Sequence, residues 1–302
     1  MPDAPLPDDV RRLLAARTEA RTARDWRLAD ALRDELAAAG WAVEDAASGS
    51  TARPILERGP DDTAAARLDE PATVALSIQV VAEDHPDDVD RFLRGLAAHP
   101  PDVGWELVIV DNDARSAPPA PALDVEPTIL ATAGRLGWGD ARTLGLRHSR
   151  GEITVLVDTS LEPIGDAWSP LLAAFDDPRV GVAGGWGVVS ADGRQFEEAP
   201  PGEVDAVEGY CLAVRREALR AVRGFDHRFR FYRNADLDFS FAVRDAGWIA
   251  VRTEALLFAR HEHRGWTSLP EAERDRLSRR NFYRFLDHWG DRRDLLLHAT
   301  DA

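Results

Sequence analysis

The chain reads as an α/β protein, a Rossmann-like and mostly parallel mixed sheet flanked by helices, preceded by a small α-helical hairpin. Three observations predict this class. Residues 153–157 (ITVLV) form a β-branched apolar run that stops on Asp158, Thr159 and Ser160, as a strand buried on both faces does. Residues 74–81 and 107–110 repeat the pattern around a helical stretch, and strand–helix–strand order marks a right-handed parallel crossover. Before them, apolar residues recur at helical spacing in two successive segments.

Composition narrows the functions on offer. The 302 residues suffice for one sizeable core plus a small appendage. A net charge of −16 argues against a broad phosphate-backbone footprint, because counterion release needs clustered positive charge. The chain has no lysine, so all 37 basic residues are arginine; Schiff-base chemistry and a lysine-dependent P-loop are excluded. Cys211 is the single cysteine and has no internal disulfide partner, which fits a reducing compartment. No apolar run approaches the roughly eighteen residues of a membrane span, and no basic start leads into an apolar leader. The expectation is a cytoplasmic protein without a membrane span.

In the first sixty residues, Val10, Leu13, Leu14 and Arg17 fall on one helical face, and Leu28, Leu32 and Leu36 on another. Asp25 is the predicted N-cap of the second helix and Gly40 its stop, with a short turn at residues 23–26. Residues 46–72 turn to Ser, Gly, Pro, Asp and Ala without an apolar period. The predicted division is a hairpin at 1–48, a linker at 49–72 and the main domain at 73–302. Residues 15–49 resemble the C-terminal helical piece of cysteinyl-tRNA synthetases, through Arg17, Glu19, Ala20, Arg21, Asp25, Ala29-Asp30, Arg33, Asp34, Leu36, Gly40 and Glu44-Asp45. That resemblance implies a place near tRNA, but the synthetase core is missing and its lysine-containing loop is impossible here. A reused interaction module and a tRNA contact both stay open, and the excess of acids over arginines in this segment weighs against the second.

From Thr73 the elements follow in order. The strand at 74–81 leads through a polar turn at 83–86 into a helix at 87–98 carrying Val89, Phe92, Leu93 and Leu96. The strand at 107–110 ends on Asp111-Asn112-Asp113, so Asp111 and Asp158 should approach one crevice. A short strand at 128–131 precedes a glycine-rich stretch, 134–152, containing a helix that starts near Asp140 with free N–H groups. Further strands are predicted at 180–189, 249–251 and 255–259, a helix at 168–175, and amphipathic helix at 270–289 through Leu277, Phe282, Phe285 and Trp289.

Taken in order, these segments resemble family 2 glycosyltransferases of the GT-A fold. Asp158-Thr159-Ser160 matches the family's Asp-x-Asp with Ser160 at the second carboxylate. Leu136-Gly137, Gly139, Ala141-Arg142-Thr143, Gly145-Leu146 and Gly151-Glu152 follow its glycine-rich stretch. The densest match runs through Gly209, Arg215-Arg216-Glu217, Gly224-Phe225-Asp226, Asp236-Leu237-Asp238-Phe239 and Ala246-Gly247, and 263–267 is similar to its His-x-Gly-x-Ser.

The resemblance implies a nucleotide-sugar donor and a hydroxyl acceptor. It places Asp111, Gly137, Arg142, Asp158 and Ser160 on the donor, and Asp158 with His263 on a divalent cation, Mn²⁺ or Mg²⁺. Asp236 becomes the catalytic base, with Asp238 and Trp266 on the acceptor side. Each residue also has a structural reading: Asp111 ends a strand in an Asx-turn, Asp236 and Asp238 cap a helix, the glycines pack a helix on the sheet, and His263 bonds a loop. Ala235 stands for the family's Glu and Ala242 for a common Arg, which keeps open a nucleotide-sugar-binding protein without turnover.

Overall fold

The computed structural model describes residues 7–38, 41–46, 49–54, 67–112, 123–132 and 134–298. The chain forms two units, Met1–Ala64 and Ala65–Ala302.

In the first unit, α1 (Asp8–Thr22) and α2 (Trp26–Ala38) make the helical hairpin. Asp25 caps α2, its Oδ1 accepting from the Leu28 amide at 3.0 Å. The buried stripe runs through Ala20, Ala29 and Leu32, whereas Leu28, expected on the apolar face, is 48% exposed. Gly40 lies outside the described residues. The segment from Gly49, expected to be linker, carries a strand: β1 (Trp41–Ala46) pairs antiparallel with β2 (Gly49–Pro54). The β2 sequence GSTARP has no apolar alternation, so backbone pairing alone marks it.

The second unit begins with β3 (Val74–Ala82), α3 (Pro86–Ala98), β4 (Trp105–Asp111), β5 (Thr128–Ala131), α4 (Trp138–His148) and β6 (Gly151–Val157). It continues with β7 (Leu161–Pro163), α5 (Ser169–Ala173), β8 (Val180–Gly184), β9 (Gly187–Val189), β10 (Glu197–Glu198), β11 (Gly202–Val204) and β12 (Ala206–Val207). Last come β13 (Cys211–Arg215), α6 (Arg216–Val222), α7 (Ala235–Asp245), β14 (Ile249–Arg252), β15 (Phe258–Arg260), α8 (Arg264–Thr267) and α9 (Glu271–Trp289).

The main sheet has eight strands in the order β11-β14-β8-β13-β6-β3-β4-β5. Strands β6, β3, β4 and β5 run parallel to one another, so the chain leaves β6 and β4 on one edge. β13 runs antiparallel between β6 and β8, which makes the sheet mixed. The strand expected at 255–259 is β15, and it pairs with β7 outside the main sheet.

One face of the sheet buries Leu76, Ile78 and Val80 against Val89, Phe92 and Leu96 of α3. The other buries Leu156 and Leu212 against Leu146, Leu219 and Phe239 from α4, α6 and α7. Each such side chain contributes about 1.5–3 kcal/mol. The two motif arginines at the start of α6 are staples of this fold. Arg215 donates to the Phe175 and Asp177 carbonyls at 2.6 and 3.0 Å, and Arg216, 3% exposed, to the Ser149 carbonyl at 2.9 Å. Helix α9 docks on α7 where Phe285 meets the edge of Phe241, centroids 5.0 Å apart.

Candidate active site

Asp158 follows directly on β6, and its surroundings fix its carboxylate. Oδ1 accepts from the Ser160 amide at 2.9 Å and the Ser160 hydroxyl at 2.6 Å, an Asx-turn; Oδ2 faces His263 Nε2 at 3.3 Å. Burial pushes the carboxyl up, yet His263, Arg142 and Ser160 together hold it well below the usual carboxylate range. Burial pulls His263 down, and the bond and charge of Asp158 more than offset this, leaving the imidazole above its ordinary value.

Two cavities meet at this pair. One, about 240 Å³, is walled by Glu83, Arg135, Arg142, Ser160, Arg230 and Arg264. The other, about 290 Å³, is walled by Glu208, Tyr210, Arg233, Asp236 and Phe282 among others. Trp138, Asp158, Tyr232 and His263 line both.

Asp236 stands in the first turn of α7, after Asn234 turns the chain through a left-handed φ of 63°. Its Oδ2 accepts from the Gly209 amide at 2.8 Å and its Oδ1 from the Leu237 amide at 3.0 Å. Burial nonetheless raises its proton affinity above that of an ordinary aspartate. Glu208 is raised by burial and then by the charge of Asp236. A carboxylate set this way takes up a proton more readily than one in water.

The structure brings some of the predicted residues together and not others. Asp158, Ser160, Arg142, His263 and Asp236 reach the two cavities. Arg142 is buried, with Nη1 donating to Gln79 Oε1 and the Val157 carbonyl, both at 3.2 Å, and with Nε unpartnered. Ser160 reaches its cavity while giving its hydroxyl to Asp158.

Asp111 is 5% exposed and lines neither cavity. Its neighbour Asn112 shapes the wall, donating to Glu83 Oε1 at 2.6 Å and accepting from the Leu136 amide at 2.8 Å. Gly137 lines neither cavity either; a Cβ there would come within 3.0–3.1 Å of Arg230, which would have to give way by a few tenths of an ångström. The first α4 amides are also taken, Trp138 N by the Arg230 carbonyl at 3.2 Å and Gly139 N by that of Phe229 at 2.9 Å. The helix start therefore does not present those donors to a diphosphate.

Asp238, expected on the acceptor side, is 5% exposed and accepts from His288 Nδ1 and Trp289 Nε1, both at 2.9 Å, fastening α9 to α7. Trp266 lines neither cavity and lies under two guanidinium groups, Arg274 at 5.0 Å and Arg233 at 5.5 Å from its ring centre. Sequence reasoning missed Glu83, Glu208, Arg230 and Tyr232. All four sit in turns or strand ends, and only Glu83, in the polar turn after β3, carried a local signal.

Asp158 Oδ2 and His263 Nε2, 3.3 Å apart and both open to the cleft, lie near the separation of adjacent ligands on one octahedral ion with bonds of about 2.1 Å. A carboxylate oxygen and an imidazole nitrogen suit Mn²⁺ or Mg²⁺ when phosphate oxygens complete the shell. The Trp266 amide reaches both His263 Nδ1 at 3.1 Å and the His263 carbonyl at 2.9 Å, so a ring proton can shift to Nδ1 without orphaning that amide. The cluster Asp226, Asp238 and His288 does not fit a cation, because the Arg228 guanidinium already contacts Asp226 at 2.6 Å and touches His288. The Cys211 thiol, buried and pushed up to about 12, is no nucleophile.

The fold is that of the GT-A glycosyltransferases. GalNAc-T7, solved with UDP, GalNAc and Mn²⁺, superposes with a TM-score of 0.58 at 14% identity, over 72% of this chain and 49% of that one. The mannosyltransferase PcManGT from Pyrobaculum calidifontis, solved with GDP-Man and Mn²⁺, gives 0.50 at 19% identity, over 67% and 63%. Residues 77–257 match Glycosyl transferase family 2, and the chain belongs to that family.

Residues 3–53 match the Cysteinyl-tRNA ligase anticodon binding domain. Here the chain is 48% identical over 50 residues to the cysteine–tRNA ligase of Chlamydia pneumoniae, covering 17% of this chain and 10% of that protein. Against the Kocuria rhizophila enzyme it is 63% identical over 41 residues, covering 14% and 9%. The chain thus spans about a tenth of the length of these curated relatives.

Proposed function

We propose that the second unit moves a sugar from a nucleotide-diphosphate donor to an acceptor hydroxyl with inversion, Asp236 serving as general base. The observation that carries this reading is that Asp158 and Asp236 open onto one cavity with opposite proton affinities. The donor diphosphate belongs in the cavity walled by Arg142 and Arg230, whose guanidinium groups suit phosphate oxygens. Asp158 and His263 would hold Mn²⁺ or Mg²⁺ there, supplying positive charge to the departing diphosphate.

The acceptor occupies the neighbouring cavity with its hydroxyl on Asp236. As that oxygen bonds to the anomeric carbon, the bond from carbon to the diphosphate oxygen breaks and the hydroxyl proton passes to Asp236. Attack from the side away from the leaving group inverts the anomeric centre.

One observation favours a second reading, a nucleotide-sugar-binding protein without turnover. Where the family has a second carboxylate, Ser160 gives its hydroxyl to Asp158, so the donor end has one acid fewer. Calorimetry with UDP-, GDP- and dTDP-sugars plus Mn²⁺, followed by a transfer assay, decides between them. Binding with transfer supports the enzyme, binding without hydrolysis or transfer supports the binder, and no heat with any donor contradicts both.

For the N-terminal unit the proposed role is an interaction module. The match of residues 3–53 favours tRNA as a second reading, which filter retention of bulk tRNA by the whole chain at physiological salt tests. A cytoplasmic setting is proposed from the single, free Cys211.

A further inference from the structure

We propose that the acceptor is an anionic sugar, a carbohydrate carrying a phosphate or carboxylate, and that Arg194 and Arg233 bind its charge. This rests on the glycosyl-transfer reading and names the substrate class of the acceptor cavity. The cavity is lined by groups of both charges. Asp236 and Glu208 supply carboxylates, and Arg194 and Arg233 supply guanidinium groups from separate segments. The rings of Phe196, Tyr210, Tyr232 and Phe282 line the same cavity, and the apolar face of a sugar ring can be buried against them.

Both arginines are exposed and neither comes within ion-pair distance of a carboxylate among the described residues; Arg194 senses Asp192, and Arg233 senses Asp236 and Glu208, through their charge alone. Their backbones are held. The Asp192 carboxylate accepts from the Arg194 and Gln195 amides at 2.8 and 2.9 Å, while Ser190 Oγ accepts from the Gly193 amide at 2.9 Å. Asn281 Nδ2 donates to the Phe231 and Arg233 carbonyls at 2.6 and 2.9 Å, and the Arg233 guanidinium rests over Trp266.

Two guanidinium groups on held backbones, lining an aromatic-walled cavity, form a site for an oxyanion. With the anion on the arginines, the sugar's hydroxyls are left for Asp236. A neutral sugar gives these guanidinium groups no counter-charge, and a cationic acceptor meets them with repulsion.

The test uses the whole chain with its donor cavity saturated by whichever of UDP, GDP or dTDP binds, so that added anions cannot occupy it. Glucose 6-phosphate, glucuronate and glucose are then titrated by calorimetry. At least one of the two anionic sugars is expected to bind about tenfold or more tighter than glucose. The one that does tells phosphate from carboxylate. The combined Arg194→Ala and Arg233→Ala substitution should erase that preference, and replacing both with Lys should keep most of it.

Glucose binding as tightly as both anions, neither anion binding, or an unchanged preference in the double alanine variant overturns the proposal. If a nucleotide binds but the preference is missing, only the acceptor class falls. If no nucleoside diphosphate or nucleotide sugar binds, the glycosyl-transfer reading falls with it.

Discussion

The end of β6 and the start of α7 each deliver one aspartate to a common cavity, and the two are set in opposite directions. Asp158 lies among cationic and hydroxyl partners and stays ionised far into acid. Asp236 accepts from the Gly209 and Leu237 amides and, among the described residues, has no arginine or histidine hydrogen bond, so burial dominates and its proton affinity rises. The same functional group is thus suited to hold charge in one place and to accept a proton in the other, by surroundings alone.

The largest effect should come from separating these roles at α7. Asp236→Asn keeps an oxygen for an amide partner and removes the proton acceptor, so turnover should fall about 10²- to 10⁴-fold in a transfer assay. At β6, Asp158→Ala removes the anion opposite His263 and Arg142. Donor affinity in the presence of Mn²⁺ should drop about ten- to a hundredfold by calorimetry, the scale of a lost charged contact.

Acidity offers a finer probe. As the proposed base, Asp236 would have to be ionised to act, so as pH falls through its raised pKa it takes up its proton and the rate should decline. The acid limb of the pH–rate profile should therefore lie above the ordinary aspartate value of about 3.9. Glu208→Gln removes a neighbouring negative charge and should move that limb downward; no movement would mean the two carboxylates do not sense one another. The smallest effect belongs to Ser160→Ala, which deletes the 2.6 Å bond to Asp158 and should weaken donor binding about fivefold, near 1 kcal/mol.

What was legible in the sequence divides along the same lines. Asp158 was readable at the cavity because it directly follows β6, whose apolar run fixes where the chain emerges, whereas Asp236, in the first turn of α7, was singled out by the ordered resemblance and not by its position. Asp238 was not readable: two residues on in the same helix, its role is decided by His288 and Trp289, some fifty positions away. Asp111 also ends a strand, but its burial and the grip of Asn112 on Glu83 and Leu136 depend on loops from two other elements. Gly137 carried a true signal for close approach, and only the coordinates show that the neighbour is Arg230. The polar strand β2 has no apolar pattern to betray it, and Arg194 and Arg233 became a pair only when the fold brought their turns to one cavity.

The most direct measurement is nucleotide-sugar affinity, by calorimetry with Mn²⁺, of the Asp236→Asn and Asp158→Ala proteins side by side. The account predicts that the first binds donor as the unaltered chain does while the second has lost at least tenfold. Equal losses in both, or a loss confined to Asp236→Asn, would contradict it.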